Sequence, residues 1–377
     1  MIYFDNAATT FPKPESVVQG LRAGVLQYGG NPGRSGHSLS MKTAEKIFRV
    51  RSAAADLFGA DVERVIFTSN CSHSLNVAIK GSIESGHVIT TCLEHNSVLR
   101  PLESLQHSGK ISYSVADVHN KTPDEIVEEI RGLVRMDTKL VVCTHASNVT
   151  GQILPIARIA QMCRRNGLLL IVDAAQTAGV LPIKVDDMGI DILCTAGHKG
   201  LYGPTGTGLL ILGKDVNLLP LMEGGTGSKS LELTQPDFYP DRLEAGTLNS
   251  VGICGLGAGI DFVRKQGISR IYQHEIGICR MVFRSFQKFP HVELYTDRFE
   301  PGERAPVLIF NIKGKTSEEI TSFLNGKGFA LRGGLHCAPL VHQALGTEKN
   351  GAVRFSPSAF STKAEAEKFI RTVGGIR

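Results

Sequence analysis

The sequence predicts an α/β chain in which a large domain, built on a mainly parallel sheet, is followed by a smaller α+β domain. Three observations carry this. Short β-rich runs alternate with amphipathic helical patterns through the first two thirds of the chain. Several of those runs are apolar throughout, as strands are when helices cover both faces of a parallel sheet. The alternation then stops near residue 260, where long helical patterning takes over.

The strands expected from these runs are Arg64–Thr68, His87–Thr91, Ile111–Val115, Lys139–Thr144, Leu168–Asp173, Asp191–Thr195 and Gly208–Leu212, seven in all. Helical patterns fill the gaps, including Leu75–Lys80, Pro123–Val134 and Pro155–Asn166. Thr122-Pro123-Asp124-Glu125 is a helix start, with a capping hydroxyl, a proline in the first turn and acids facing the positive helix end. Beyond it, a helical stretch over Gly259–Phe289 leads to fewer strands, Pro306–Ile312 among them, and to a last helix near Lys363–Val373. The expected division is residues 1–258 and 259–377. An N-terminal arm, residues 1–14 and rich in turn formers, is expected to cross the domain junction or lie near the site. In a sheet of this kind, sites form beyond the carboxyl ends of the strands.

Composition narrows the function. A chain of 377 residues buries a sizeable core. With 42% apolar and 20% charged residues it is neither disordered nor a coiled coil. The net charge of +5 is spread over residues such as Arg34, Lys42, Lys46, Arg49 and Arg51. Such a pattern reads as solvated helix faces, not as a nucleic-acid patch. No apolar stretch reaches the ~20 residues of a membrane span. Met1-Ile2-Tyr3-Phe4-Asp5 has no secretory n-region or h-region, so a cytoplasmic protein is expected. The eight cysteines are scattered without a Cys-x-x-Cys pair, which suggests neither a zinc site nor a disulfide framework. Cys143 and Cys194, inside apolar runs, are expected to be buried.

The strongest local signal is Thr195-Ala196-Gly197-His198-Lys199-Gly200, followed by Gly203-Pro204-Thr205-Gly206. A lysine at the end of an apolar strand is unusual, because lysine is rarely buried without a partner. Flanking glycines let the backbone approach a ligand closely. One chemistry that needs such a lysine is imine formation with an aldehyde cofactor; a plain surface turn is the alternative. Leu168–Val172 ends in Asp173-Ala174-Ala175-Gln176, one strand earlier and about 26 residues before the lysine. An aspartate there serves as a cap, or as partner to a protonated ring nitrogen. Ser69-Asn70-Cys71-Ser72-His73-Ser74 offers N–H groups and hydroxyls at a helix start, which is either an anion site or an ordinary cap. Neither Gly224–Ser230 nor Gly255–Gly259 has the spacing of a nucleotide-binding loop. His95 follows a strand, where a histidine stacks on a ring, shuttles protons or is simply structural. Asn148 sits in a turn after another strand. Cys337, in the glycine-rich loop Arg332–Pro339, lies among cationic residues; it is a nucleophile or an inert loop thiol. A zinc site through Cys337 and His342 lacks enough ligands.

Taken in order, these segments resemble the class V aminotransferase family of fold-type I enzymes, and within it the group II cysteine desulfurases and the related selenocysteine lyases. The resemblance rests on Asp5-Asn6-Ala7-Ala8-Thr9-Thr10, Arg34-Ser35-Gly36-His37, Glu94-His95-Asn96, Ser147-Asn148, Asp173–Gln176, Gly197-His198-Lys199, Glu244-Ala245-Gly246-Thr247, Arg332–Pro339 and Val353-Arg354-Phe355-Ser356. It implies pyridoxal 5′-phosphate (PLP) bonded to Lys199, with Asp173 on the ring nitrogen, Gln176 at the phenolic oxygen and His95 over the ring. Cys71, Ser72, Thr195 and His198 would hold the phosphate, joined by Thr247 from a second subunit of a homodimer with shared sites. Arg354, helped by Asn148, would clamp the carboxylate of L-cysteine or L-selenocysteine. Cys337 would take the sulfur as a persulfide, leave alanine, and pass the sulfur to a thiol acceptor, possible protein acceptors included. Selenocysteine lyase, another lyase or transaminase of the family, and an inactive PLP-binding partner protein are the competing expectations. The chain departs from the family in two places. Ser72-His73 stands where a threonine–glutamate pair is usual, and Leu335-His336 precedes Cys337 where group II enzymes carry two histidines.

Overall fold

The computed structural model describes residues 1–33, 36–296 and 298–376, so Arg34 and Ser35 of the Arg34–His37 motif lie outside the described residues. All seven expected strands form one sheet, in the order Val65–Thr68, Gly208–Leu212, Ile192–Ala196, Leu169–Asp173, Thr138–Thr144, Gly86–Thr91, Ile111–Ala116. Six run in one direction, and Gly208–Leu212 runs against both of its neighbours. The reversal has a local cause. Residues 197–207, which connect it to Ile192–Ala196, close through a Gly197 N–H to Thr207 carbonyl bond of 2.9 Å. Too short to carry a crossover helix, such a link returns the chain antiparallel.

The central strands are buried on both faces, which is why they read as unbroken apolar runs. Helices cover them. Pro123–Gly132 starts at the expected cap, Thr122, which forms a capping box with Glu125. Two other helices matter more, because their N-termini end up at the carboxyl edge of the sheet. Cys71–Ser82 is capped by the Asn70 side chain, which accepts from His73 N–H at 2.8 Å. Asn96–His107 is capped by the His95 ring, which accepts from Ser97 N–H at 3.0 Å.

The helical stretch expected over Gly259–Phe289 is two helices, Ser250–Gln266 and Ile268–Phe286. Gly267 separates them at φ +85°, a conformation that glycine adopts freely. The first packs on Glu15–Gln27 and Ser38–Phe58 of the large domain, so the expected boundary at 258/259 falls inside it. The second helps to enclose a separate aromatic core with Phe299, Phe310, Phe355 and Phe369. A three-stranded antiparallel sheet, Val353–Phe355, Leu308–Ile312 and Val292–Leu294, backs that core.

The N-terminal arm ties the two parts together. Ile2–Tyr3 pairs in parallel with Phe329–Ala330, and Phe4 is buried against Phe355 and Phe369. A few residues later, Thr10 and Lys13 bond to the His198 carbonyl of the large domain. Among the described residues, no helix is long and apolar enough to cross a membrane.

Candidate active site

Of the six strands that end along the same edge of the sheet, five lead at their ends into one cavity of about 220 Å³. From the sequence-predicted set, Cys71, Ser72, His95, Asn148, Asp173, Gln176, His198, Lys199 and Arg354 line it. The arm contributes Ala7 and Ala8. Three expected residues do not line it. Thr195 is buried one residue too early, its hydroxyl 3.4 Å from the Ala174 carbonyl. Thr247 lines a separate depression with Ser69 and His73, on the outer side of the 69–72 turn. Cys337 lies in an adjoining groove whose wall of Ser72, His95 and Ser97 is shared with the cavity, so the thiol sits at its mouth.

Lys199 is placed by close packing of its turn. A Cβ on Gly197 would lie 2.1 Å from Thr207 Oγ1, and one on Gly200 would lie 2.5 Å from the Ala178 carbonyl. Both positions therefore exclude any side chain. Thr10 donates to the His198 and Lys199 carbonyls, each at 3.2 Å, and so clamps the turn from the arm side. Burial holds the Lys199 amine below its ordinary pKa, with Asp173 opposing and Arg354 adding to the effect. A lysine that loses its charge readily is the form that attacks a carbonyl.

Asp173 lines the cavity. Its Oδ1 accepts from Ala175 N–H at 2.8 Å and lies 3.4 Å from the Cys71 thiol. The thiol is therefore committed to the aspartate. What Cys71 offers to an anion at the start of its helix is its main-chain N–H, alongside that of Ser72. Burial, with Asp173 beside it, keeps the Cys71 thiol well above its ordinary pKa and protonated. Gln176 is fixed by its Nε2, which donates to the Ala7 carbonyl at 3.1 Å.

The tautomer of His95 is set by its cap. Nδ1 faces the Ser97 N–H, which can only donate, so the ring proton sits on Nε2. Burial pushes its pKa down to about 4, which keeps the ring neutral. Ser97 Oγ also contacts His95 Nδ1 at 2.9 Å and Ser72 Oγ at 2.6 Å, linking the two helix starts.

Arg354 is almost wholly buried. Its Nη2 donates to Asp5 Oδ1 at 2.8 Å and its Nη1 to the Asn148 carbonyl at 3.1 Å. Its Nε, the Asn148 Oδ1 and the His198 Nδ1 are buried without a partner among the described residues. Unpaired polar atoms at such depth mark places where a polar ligand would be bound. Cys337 is exposed, with the Arg332 guanidinium Nη2 3.7 Å from its sulfur. His336 and Cys337 both adopt left-handed backbone, φ +50° and +56°. For residues with a Cβ this costs ~1–3 kcal/mol each and persists only where the surroundings enforce it. Here Asn148 Nδ2 donates to the His336 carbonyl at 2.8 Å, and Asn96 N–H donates to the Cys337 carbonyl at 2.7 Å.

Sequence reasoning did not assign roles to Asp5, Ser97 or Arg332, nor to the Arg51–Glu244 pair. Asp5 reaches Arg354 from the far end of the chain, which no local pattern reveals. Arg332 had a signal, a cation five residues before the thiol. Arg51 and Glu244 form a buried two-pronged ion pair with both contacts at 2.8 Å, and Glu244 also accepts from Phe67 N–H at 2.7 Å. This pair anchors the start of Glu244–Thr247.

The same architecture occurs in known proteins. The aminotransferase class-V family profile matches residues 2–369. A probable cysteine desulfurase of Methanothermobacter thermautotrophicus is 32% identical, over 100% of this chain and 94% of its own length. A cysteine desulfurase of Yersinia pseudotuberculosis is 31% identical, over 90% of this chain and 85% of its own. The apo structure of the cysteine desulfurase from Thermococcus onnurineus NA1 superposes with a TM-score of 0.92 at 30% identity, covering 99% of this chain and 94% of that one. With its whole length matched, its seven-stranded sheet shared and its lysine and aspartate at neighbouring strand ends, the chain belongs to the class-V aminotransferase family.

Proposed function

We propose that this chain is a cysteine desulfurase that holds PLP on Lys199, moves sulfur from L-cysteine to Cys337 and releases L-alanine. One observation carries the reading: a buried amine and a buried carboxylate face one cavity, and an exposed thiol stands at its mouth. The relatives' names point to the same activity.

The cavity fits the cofactor on its own terms. Lys199 is the amine for its aldehyde, and Asp173 is the carboxylate for its ring nitrogen. The N-terminus of Cys71–Ser82 and the unpartnered His198 Nδ1 suit its phosphate. Gln176 would meet the phenolic oxygen and His95 the ring face. Thr247 would complete the phosphate site from a partner subunit, which makes the proposed assembly a homodimer. Bound PLP supplies an electron sink that acidifies the substrate's Cα–H and makes its sulfur electrophilic.

The protein does the rest. Arg354 pairs with the substrate carboxylate through the guanidinium hydrogens that Asp5 and Asn148 leave free, and the Asn148 carbonyl steadies its Nη1. Lys199, its charge weakened by burial, takes the proton from Cα and later returns one. His95 presents a neutral Nε2–H donor to the reacting centre. The Cys337 thiolate attacks the substrate sulfur. As the new S–S bond forms, the Cβ–S bond breaks, its electron pair stays on Cβ, and protonation there gives the methyl group of alanine. The persulfide then passes its outer sulfur to a thiol acceptor.

The test is product analysis. The purified, PLP-loaded protein incubated with L-cysteine should yield alanine and an equal amount of transferable sulfur. Pyruvate in place of alanine would mean elimination. Turnover of L-selenocysteine alone would assign the chain to the selenium branch.

A further inference from the structure

Behind the thiol loop, away from the cavity, lies a line of three side chains. Thr347 Oγ1 is 2.7 Å from His342 Nδ1, His342 Nε2 is 3.3 Å from His336 Nδ1, and His336 Nε2 is 3.2 Å from the Arg332 carbonyl. All three are buried, and only His336 reaches the cavity wall.

The direction of this chain follows from its end. A carbonyl can only accept, so His336 carries its proton on Nε2 and offers Nδ1 as an acceptor. His342 must then donate from Nε2, which leaves its Nδ1 to accept from the Thr347 hydroxyl. No link can be reversed without breaking another. Burial keeps both rings neutral, pushing His342 down to about 4 and His336 well below its ordinary value.

The chain runs between two rigid supports. His342 belongs to the helix Pro339–Leu345, and Thr347 N–H bonds to the His342 carbonyl at 2.9 Å, so donor and relay sit on one piece. At the other end stands Arg332, whose guanidinium lies 3.7 Å from the Cys337 sulfur. Residues 336 and 337 need support for their left-handed backbone. Asn148 and Asn96 hold the outer side of that turn, and the histidine chain holds its inner side.

We propose that His342 and Thr347 are positioning residues that act through His336 to fix the Arg332–Cys337 arrangement and the turn that presents the thiol. This rests on Cys337 as the sulfur-accepting nucleophile, but it is tested independently of that reading. Thr347→Val keeps the shape and removes the donor, whereas Thr347→Ser keeps the donor. Amide hydrogen exchange should be about fivefold faster over residues 332–338 in Thr347→Val, the effect of one buried hydrogen bond, and normal in Thr347→Ser. The turnover number for sulfur transfer should fall by a similar factor in the valine variant and not in the serine one, with KM for L-cysteine and the visible absorbance of bound cofactor unchanged. His342→Leu, which removes both the acceptor and the donor, should behave like Thr347→Val. Unchanged exchange over 332–338 in Thr347→Val would overturn the proposal, as would acceleration spread evenly through the small domain. If the parent protein forms no persulfide on Cys337, the desulfurase reading fails, while the exchange experiment still decides what the histidine chain does.

Discussion

Replacing Glu94 by glutamine should change how stability depends on pH. The Glu94 side chain is fully buried where two strands end. Its Oε1 accepts from the Thr91 hydroxyl at 2.6 Å and from Thr144 N–H at 3.0 Å, and its Oε2 has no partner among the described residues. Burial pushes the carboxyl up to about 8, against the pull of those two hydrogen bonds and with the Asp173 charge adding to the rise. In the unfolded chain it titrates near ~4.3. The folded state thus binds the proton more tightly. Stability contributed by the neutral acid is complete below the unfolded value and is lost as pH climbs to about 8. A change of that size corresponds to ~5 kcal/mol at most. Relaxation and water entry around the charge reduce it to roughly 2–3 kcal/mol. For a chain of this length ~1 kcal/mol moves Tm by about 1–2 °C, so the effect is ~3–5 °C. Thermal melts of both proteins from pH 5 to 9 are the assay. The glutamine adds an unpaired N–H, but that penalty does not change with pH. The Tm difference should shift by ~3–5 °C in favour of Glu94→Gln between pH 5 and 8.5. Parallel Tm curves would mean that folding does not raise the Glu94 pKa.

Other outcomes follow from the same structure. On the acid side, burial holds His95, His145, His198 and His342 at about 4, below the ordinary histidine value. The unfolded chain then binds more protons, so stability should fall as pH drops from ~6.5 toward 4; a flat Tm over that range would contradict this. Arg51→Met leaves the buried Glu244 carboxylate unpaired and should cost ~3–5 kcal/mol, read as a Tm drop of several degrees. Adding Glu244→Leu should recover part of the loss. Arg354→Gln removes the charge for the substrate carboxylate, and steady-state kinetics should give a KM for L-cysteine ~10–100-fold higher with a smaller change in turnover number.

Much of the fold was legible because a strand buried on both faces is apolar at nearly every position, as Leu169–Asp173, Ile192–Ala196 and Gly208–Leu212 are, whereas the edge strand Ile111–Ala116 is half exposed and carries polar residues between apolar ones. Direction is a different matter. An apolar run such as Gly208–Leu212 looks the same whichever way it lies, and only the closed turn at 197–207 reverses it. Ile2–Tyr3 is too short to carry a pattern, so its place beside Phe329–Ala330 depends on Phe4 fitting among distant aromatics. Lys199 and Asp173 were readable as a pair because one strand-to-strand unit separates them, a spacing that sequence preserves. The orientation of the Cys71 thiol was not, since the cap at Asn70 fixes the backbone and leaves the side chain to whatever lies beneath. Asp5 with Arg354, and Thr347 with His342 and His336, are contacts chosen by tertiary packing. The family resemblance implied a partner for Arg354 in the substrate; the fold gives it Asp5 as well.

Sulfur transfer to Cys337 is tested by a single turnover of the PLP-loaded protein with L-cysteine and no acceptor, followed by proteolysis and mass spectrometry. One added sulfur is expected on the peptide that carries Cys337, with about one alanine released per site, and neither in Cys337→Ala despite retained cofactor. An unmodified Cys337 in the parent, or undiminished alanine from Cys337→Ala, would contradict that transfer.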